Sequence, residues 1–178
     1  GVGDVTYLAK NSARLIVTDL KPRRELRESL AKLKGFRGIR YVLGKHRLED
    51  FHERDMIIKA AGVASDSPYI AEARKNGIPV EMDESLFMKL AEPARSIGVT
   101  GTRGKTTTTQ LLYEMVKASG TRTWLGGNVR GMATLPLLEK VKKGDAVVLE
   151  LSSWQLQGFG ESRISPRIAV FTNFMDDH

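Results

Sequence analysis

The stretch Ser96–Leu112, SIGVTGTRGKTTTTQLL, constrains this chain more than any other part of it. A short apolar run gives way to glycines, one lysine and a block of threonines. Apolar residues then recur at Leu111, Leu112, Met115 and Val116, the spacing of a helix. The order is strand, glycine loop, helix. At such a junction backbone N–H groups of the loop and first helical turn face outward together, and the helix dipole favours an anion before them. The strict phosphate-loop spacing G-x-x-x-x-G-K-[ST] is met at Gly104, Lys105 and Thr106, but Val99 stands where the first glycine belongs. Gly98 and Gly101 flank that position and allow a tight turn. Lys105 is the candidate charge for the outer phosphates of a nucleotide, and Thr106 the candidate hydroxyl for Mg²⁺.

A Mg-nucleotide site also calls for a carboxylate at the end of a neighbouring strand. DAVVLELSSWQLQ (Asp145–Gln157) supplies Glu150, directly after the apolar run Ala146–Leu149. A charge at the mouth of a buried strand is costly unless it meets a cation, and Mg²⁺ shared with Thr106 would supply one. LGGNVRG (Leu125–Gly131) places Asn128 after two glycines, either as a ligand-facing amide or as a plain turn residue. TNFMDDH (Thr172–His178) gathers Asn173, Asp176, Asp177 and His178 after another apolar run, as metal-capable groups or as a polar loop.

Elsewhere strands and helices alternate. ARLIVTDL, IRYVLG, RDMIIKAAG and IPVEM read as strands; ELRESLAKL, SPYIAEARKNG and ESLFMKLA read as helices. Pro93 breaks the pattern and is taken as the domain boundary, giving units 1–94 and 95–178. In the second unit TRTWLGGN, DAVVLELSS and PRIAVFTN read as strands. KTTTTQLLYEMVKASG is a helix closed by Gly120, and MATLPLLEKVKKG is a helix kinked or delayed by Pro136. The fold class is therefore α/β: two doubly wound, mainly parallel-sheet units, with strands covered on both faces.

Composition narrows the function classes. The chain has no cysteine, which excludes disulfides and thiolate metal sites. No window approaches eighteen uninterrupted apolar residues, so no membrane partner is expected. The net charge of +7 is spread over both halves, with 17 basic and 14 acidic side chains in 1–94 and 11 and 7 in 95–178. Without a basic stripe interleaved with aromatics, no nucleic acid is expected; small anions such as nucleotides are. The chain opens on Gly1 and stops on Asp-Asp-His, so it is expected to be a fragment.

Four blocks in this order, GVTGTRGKTTTT, LGGNVRG, VLELSSWQLQ and SPRIAVFTNFMDDH, resemble the Mur ligases of peptidoglycan synthesis. The form ELSSWQL is similar to that of the D-glutamate-adding members. Residues 1–95 match more loosely, through TDLK and IIKAAGVASDSPYI. The resemblance implies a Rossmann-like first unit for a UDP moiety and a P-loop ATPase second unit. It also implies ATP and Mg²⁺ as cofactors, and UDP-N-acetylmuramoyl-L-alanine and D-glutamate as small-molecule substrates. ATP would phosphorylate the substrate carboxylate, and the amine of D-glutamate would displace the phosphate.

On the same resemblance Gly101, Thr102, Arg103, Gly104, Lys105, Thr106 and Thr107 bind ATP. Thr106, Glu150 and His178 hold metal; Lys105, Glu150 and His178 act in catalysis; Asn128 and Asp19 contact the nucleotide-sugar substrate. A cytoplasmic monomer is implied. Arg103 replaces an asparagine common in the family's loop. The opening strand is expected to be missing or shortened, and the modified lysine and amino-acid domain to lie beyond His178, so the isolated chain is not expected to complete the ligation. A folylpolyglutamate-type ligase, a non-catalytic nucleotide-binding module and a generic P-loop ATPase or kinase remain as alternatives.

Overall fold

The computed structural model describes residues 1–91 and 95–176. The chain divides into two compact units, Gly1–Glu81 and Met82–His178. The sequence boundary at Pro93 falls outside the described residues; the units divide earlier, between Glu81 and Met82.

The first unit opens with helix α1 (Val2–Lys10), which the sequence reading had not assigned. Strand β1 (Leu15–Asp19), helix α2 (Arg27–Leu33) and strand β2 (Ile39–Leu43) follow. β1 and β2 pair in parallel, Leu15 opposite Ile39 and Asp19 opposite Leu43. A second parallel pair joins β3 (Ile57–Ile58) to β4 (Val80–Glu81). Between them α3 (Pro68–Lys75) begins at a proline, whose missing N–H costs nothing in a first turn. The doubly wound sheet expected here is, among the described residues, two separate parallel pairs. Phe51, Ala73 and Ile78 are buried against Ile57, Tyr69 and Val80.

In the second unit α4 (Asp83–Leu90) leads to β5 (Arg95–Thr100), α5 (Lys105–Ala118), β6 (Thr123–Gly127), β7 (Ala146–Glu150), α6 (Ser153–Glu161) and β8 (Ile168–Phe171). The sheet order is β6-β7-β5-β8, every pair parallel. All four strands thus end on one edge. α5 covers the sheet with Leu112, Tyr113 and Val116 packed on Ile97, Val99 and Val148. Every residue of β7 is buried, as its unbroken apolar run predicts. Among the described residues β8 pairs only with β5, and its Ile168 and Phe171 are exposed. The helix expected around Pro136 is only a 3-10 segment, Leu135–Glu139. A proline lies at its start and Lys142-Lys143-Gly144 just beyond its end.

Candidate functional site: a glycine loop and a buried carboxylate at one sheet edge

β5 runs into the loop Gly101–Gly104, and α5 starts at Lys105 with Gly104 as its cap in a left-handed conformation, φ 79°. Gly101 lies at φ 135°, and a Cβ there would fall on the Thr172 hydroxyl, with the Asn173 carbonyl oxygen 2.9 Å away. Only glycine fits that crossing.

The crossing exists because the segment after β8 clamps the loop. Thr102 donates its N–H to the Asn173 carbonyl at 2.9 Å, and Arg103 donates its N–H to Asn173 Oδ1 at 3.0 Å. The Arg103 carbonyl accepts from the Thr172 hydroxyl at 2.6 Å and from Asn173 Nδ2 at 3.2 Å. Met175 donates its N–H to the Thr102 hydroxyl at 3.0 Å. The amides of Thr102 and Arg103 are therefore committed inside the protein. Those of Gly104, Lys105, Thr106 and Thr107 have no partner among the described residues, as the first turn of a helix requires. These four N–H groups are the ones the loop and first helical turn leave unpartnered among the described residues.

Lys105 is half-buried and folded back over the loop. Its Nζ donates to the carbonyls of Gly101 at 2.8 Å and Thr102 at 2.9 Å. Thr106 and Thr107 are exposed at the helix start, whereas Thr109, one turn on, is buried with its hydroxyl unpartnered.

Glu150 ends β7, opposite Val99 of β5 and Gly127 of β6. The loop after β5 and the Glu150 carboxylate thus emerge at the same edge of adjacent strands, where parallel sheets bind ligands. Glu150 is 3% exposed. Its Oε1 accepts from Asn128 Nδ2 at 3.3 Å, and its Oε2 is buried with no hydrogen-bond partner among the described residues. A buried carboxylate oxygen left orphaned is costly, and a cation satisfies it. The donor set here, carboxylate oxygen and hydroxyl oxygen, is that of a hard divalent ion, so the residues fit Mg²⁺. Among the described residues no three His, Cys, Asp or Glu side chains gather into a metal cluster. His178, the third expected ligand, lies outside the described residues, as does Asp177.

Asn128 is exposed, and its backbone N–H also donates to the Glu150 carbonyl at 2.8 Å. It holds Glu150 in addition to offering a face to solvent. The turn that carries it needs Gly127: at φ 82° its Cβ would fall on the Glu150 carbonyl oxygen, and its N–H donates to the buried Thr134 hydroxyl at 3.1 Å. Asp19 sits in the first unit at the end of β1, where its Oδ1 accepts from the Lys21 N–H at 2.8 Å and its carbonyl from the Gly44 N–H at 2.8 Å. It shapes the turn after β1.

Three contributors escaped the sequence reading. Thr172 and the loop-holding role of Asn173 are visible only once β8 is paired to β5. Helix α6 had a legible signal, the pair Ser152 and Gln155 at capping-box spacing, which the structure realises with a Gln155 N–H to Ser152 Oγ bond at 3.3 Å and a Ser152 N–H to Gln155 Oε1 bond at 2.8 Å.

The described residues define the class: an α/β protein built on parallel sheets, with a glycine loop and a buried acid at the carboxyl edge of one of them. Residues 1–81 match the Mur ligase MurD-like N-terminal domain, and residues 99–178 match the Mur ligase middle domain. The chain belongs to the Mur ligase family. It is 41% identical over 178 residues to the UDP-N-acetylmuramoylalanine--D-glutamate ligase of Roseiflexus sp. (strain RS-1), covering 100% of this chain and 38% of that relative. It is 38% identical over 179 residues to the ligase of the same name from Borreliella afzelii (strain PKo), with the same two shares covered. The chain thus spans about 38% of the length of these relatives. Among solved structures, the UDP-N-acetylmuramate:L-alanyl-gamma-D-glutamyl-meso-diaminopimelate ligase from Neisseria meningitides shares the fold at a TM-score of 0.55 and 20% identity, over 99% of this chain and 58% of that one. No helix among the described residues is long and apolar enough to cross a membrane.

Proposed function

We propose that the protein carrying these residues is an ATP-dependent, cytoplasmic ligase that joins D-glutamate to UDP-N-acetylmuramoyl-L-alanine. In this reading the first unit is Rossmann-like and takes the UDP end of the substrate near Asp19, and the second is the P-loop ATPase. The orphaned Glu150 Oε2, at the same sheet edge as the free amides of the α5 N-terminus, is the observation that carries it.

The four free N–H groups and the α5 dipole receive the outer phosphates of ATP. Lys105 exchanges its two loop carbonyls for phosphate oxygens and follows the transferring group. Glu150 and Thr106 would hold a Mg²⁺ ion, with His178 at a second, and the metal would supply charge neutralisation of the phosphates. Asn128 holds Glu150 and offers its exposed side to the substrate. The γ-phosphoryl group passes to the substrate carboxylate and ADP leaves. The amine of D-glutamate attacks the acyl carbon, phosphate departs, and the amine proton is lost. The ligation belongs to the whole protein; the part assigned to these residues is the grip on ATP and on the acid to be activated. A monomer suffices for both.

The test is calorimetric. Lys105→Ala is expected to abolish Mg-ATP binding and leave the fold intact; unchanged affinity refutes the loop assignment. In a full-length protein, phosphate release should require both UDP-N-acetylmuramoyl-L-alanine and D-glutamate. Equal ATP hydrolysis without either substrate overturns the ligase reading.

A further inference from the structure

Glu84 lies in the first turn of α4 and is 3% exposed, yet no ion pair accounts for it among the described residues. Its Oε1 accepts a hydrogen bond from the Nε2 of Gln155 on α6, and its Oε2 is buried with no partner. Gln155 is itself 4% exposed, and both ends of its amide are used. While Nε2 donates to Glu84, Oε1 accepts the Ser152 N–H at 2.8 Å and the Ser152 hydroxyl at 2.9 Å. Ser152 stands two positions after Glu150, and the intervening Leu151 N–H donates to the Val99 carbonyl at 2.8 Å. One unbroken hydrogen-bonded line therefore runs from Glu84 through Gln155 to the turn that follows the candidate metal ligand. Met82 closes the same joint, because a Cβ on Gly158 of α6 would lie 3.0 Å from its sulfur.

We propose that Glu84 is a positioning residue: by anchoring the Gln155 amide it fixes the turn after β7 and, through that turn, the direction of the Glu150 carboxylate. The proposal rests on the ligase reading only in taking Glu150 as the carboxylate that meets a cation.

The chemistry of the anchor depends on its proton. Burial, and then the Asp83 carboxyl beside it, push the Glu84 carboxyl up to about 8, so it is neutral in a neutral solution. The elements packed on α4 are the 3-10 segment Leu135–Glu139 and α6. Their own acids, Glu139 and Glu161, are exposed, which leaves Asp83 as the acid whose charge acts on Glu84. Ionisation above that value places a charge in a buried site beside the Asp83 carboxyl, where only the Gln155 amide and the Glu84 backbone N–H answer it, and the joint between α4 and α6 loosens.

Two readouts decide the proposal. The first needs no ligand: amide exchange at Ser152. In Glu84→Ala, the Ser152 amide should exchange about tenfold faster than in the parent while amides in the core of β7 stay protected; Glu84→Gln, which keeps an acceptor for Gln155, should restore it. The second is Mg-ATP affinity by calorimetry on the full chain. It should fall about tenfold for the parent between about pH 7 and about pH 9, and stay level for Glu84→Gln, which cannot ionise. If Glu84→Ala does not fold, the pH profile of Glu84→Gln still decides. Unchanged Ser152 exchange in folded Glu84→Ala, or a Glu84→Gln profile that falls as the parent's does, overturns the proposal. If the parent chain binds no Mg-ATP at any pH, the ligase reading fails, and the exchange experiment still judges the anchor.

Discussion

Asn128 holds Glu150 at two points, its side-chain amide on the carboxylate oxygen at 3.3 Å and its backbone N–H on the carbonyl at 2.8 Å. A residue expected from sequence to face the substrate is thus also the support of the acid that would meet the metal. Asn128→Ala removes only the first bond. It should weaken Mg-dependent ATP binding by about tenfold, or about 1.4 kcal/mol, while costing about 1 kcal/mol of stability. Calorimetry with and without Mg²⁺ separates the two, because metal-free nucleotide affinity should barely change.

Gly127 makes that support possible. Gly127→Ala forces a side chain into a left-handed conformation and onto the Glu150 carbonyl. A loss of about 2 kcal/mol or more is expected, read as a lower midpoint in urea unfolding. A midpoint equal to the parent's would show that the turn can relax without moving β7.

Asn173 should behave differently. Its side chain takes the Arg103 N–H and gives a hydrogen to the Arg103 carbonyl, both at an exposed loop. Asn173→Ala should leave thermal stability within about 1 kcal/mol of the parent yet weaken ATP binding by about tenfold, because the loop loses its fixed shape. Unaltered affinity would mean that Thr172 and the backbone groups of Asn173 and Met175 set the loop without that side chain.

In the first unit, Asp50 is the group that should give an acid-sensitive limb. It is buried and takes a forked pair of bonds from Arg47, at 2.7 and 2.6 Å, with a third from Arg40 at 2.8 Å. The Arg47 hydrogen bonds hold its carboxyl below the usual carboxylate range. A lowered value means that the unfolded chain binds the proton first as pH drops. The stabilisation is therefore complete above the ordinary carboxylate range and is lost as pH falls through the lowered value. Asp50→Ala should cost about 3 kcal/mol at neutral pH and flatten the acid limb of urea midpoints followed against pH.

How much of this was legible varies by element. The loop from Ser96 to Leu112 carried its own signals, because glycine, lysine and helical spacing act locally, and the structure builds strand, turn and helix there. Glu150 was legible for the same reason: four apolar residues and then one acid, all buried. The helix at Ser153 was hidden because its residues follow a strand without a break, and only the spacing of Ser152 and Gln155 marks the change. Glu84 looked like any acid in a first helical turn; its burial comes from α6, far away in sequence. The clamp at Thr172 and Asn173 could not be read either, since it depends on which strand lies beside β5. The apolar spacing near Pro136 suggests a longer helix than the 3-10 segment found there, because spacing says nothing of where the turn must stop. His178 and the expected break at Pro93 fall on residues that the structure does not describe.

The segment that leaves β8 is at once tied to a strand of the sheet and the brace of the glycine loop. That double duty makes β8 a lever on the chemistry of the loop. A change that shifted β8 would tilt the loop's amides without touching the nucleotide. Sensitivity to nucleotide could then be altered by changes placed well away from it.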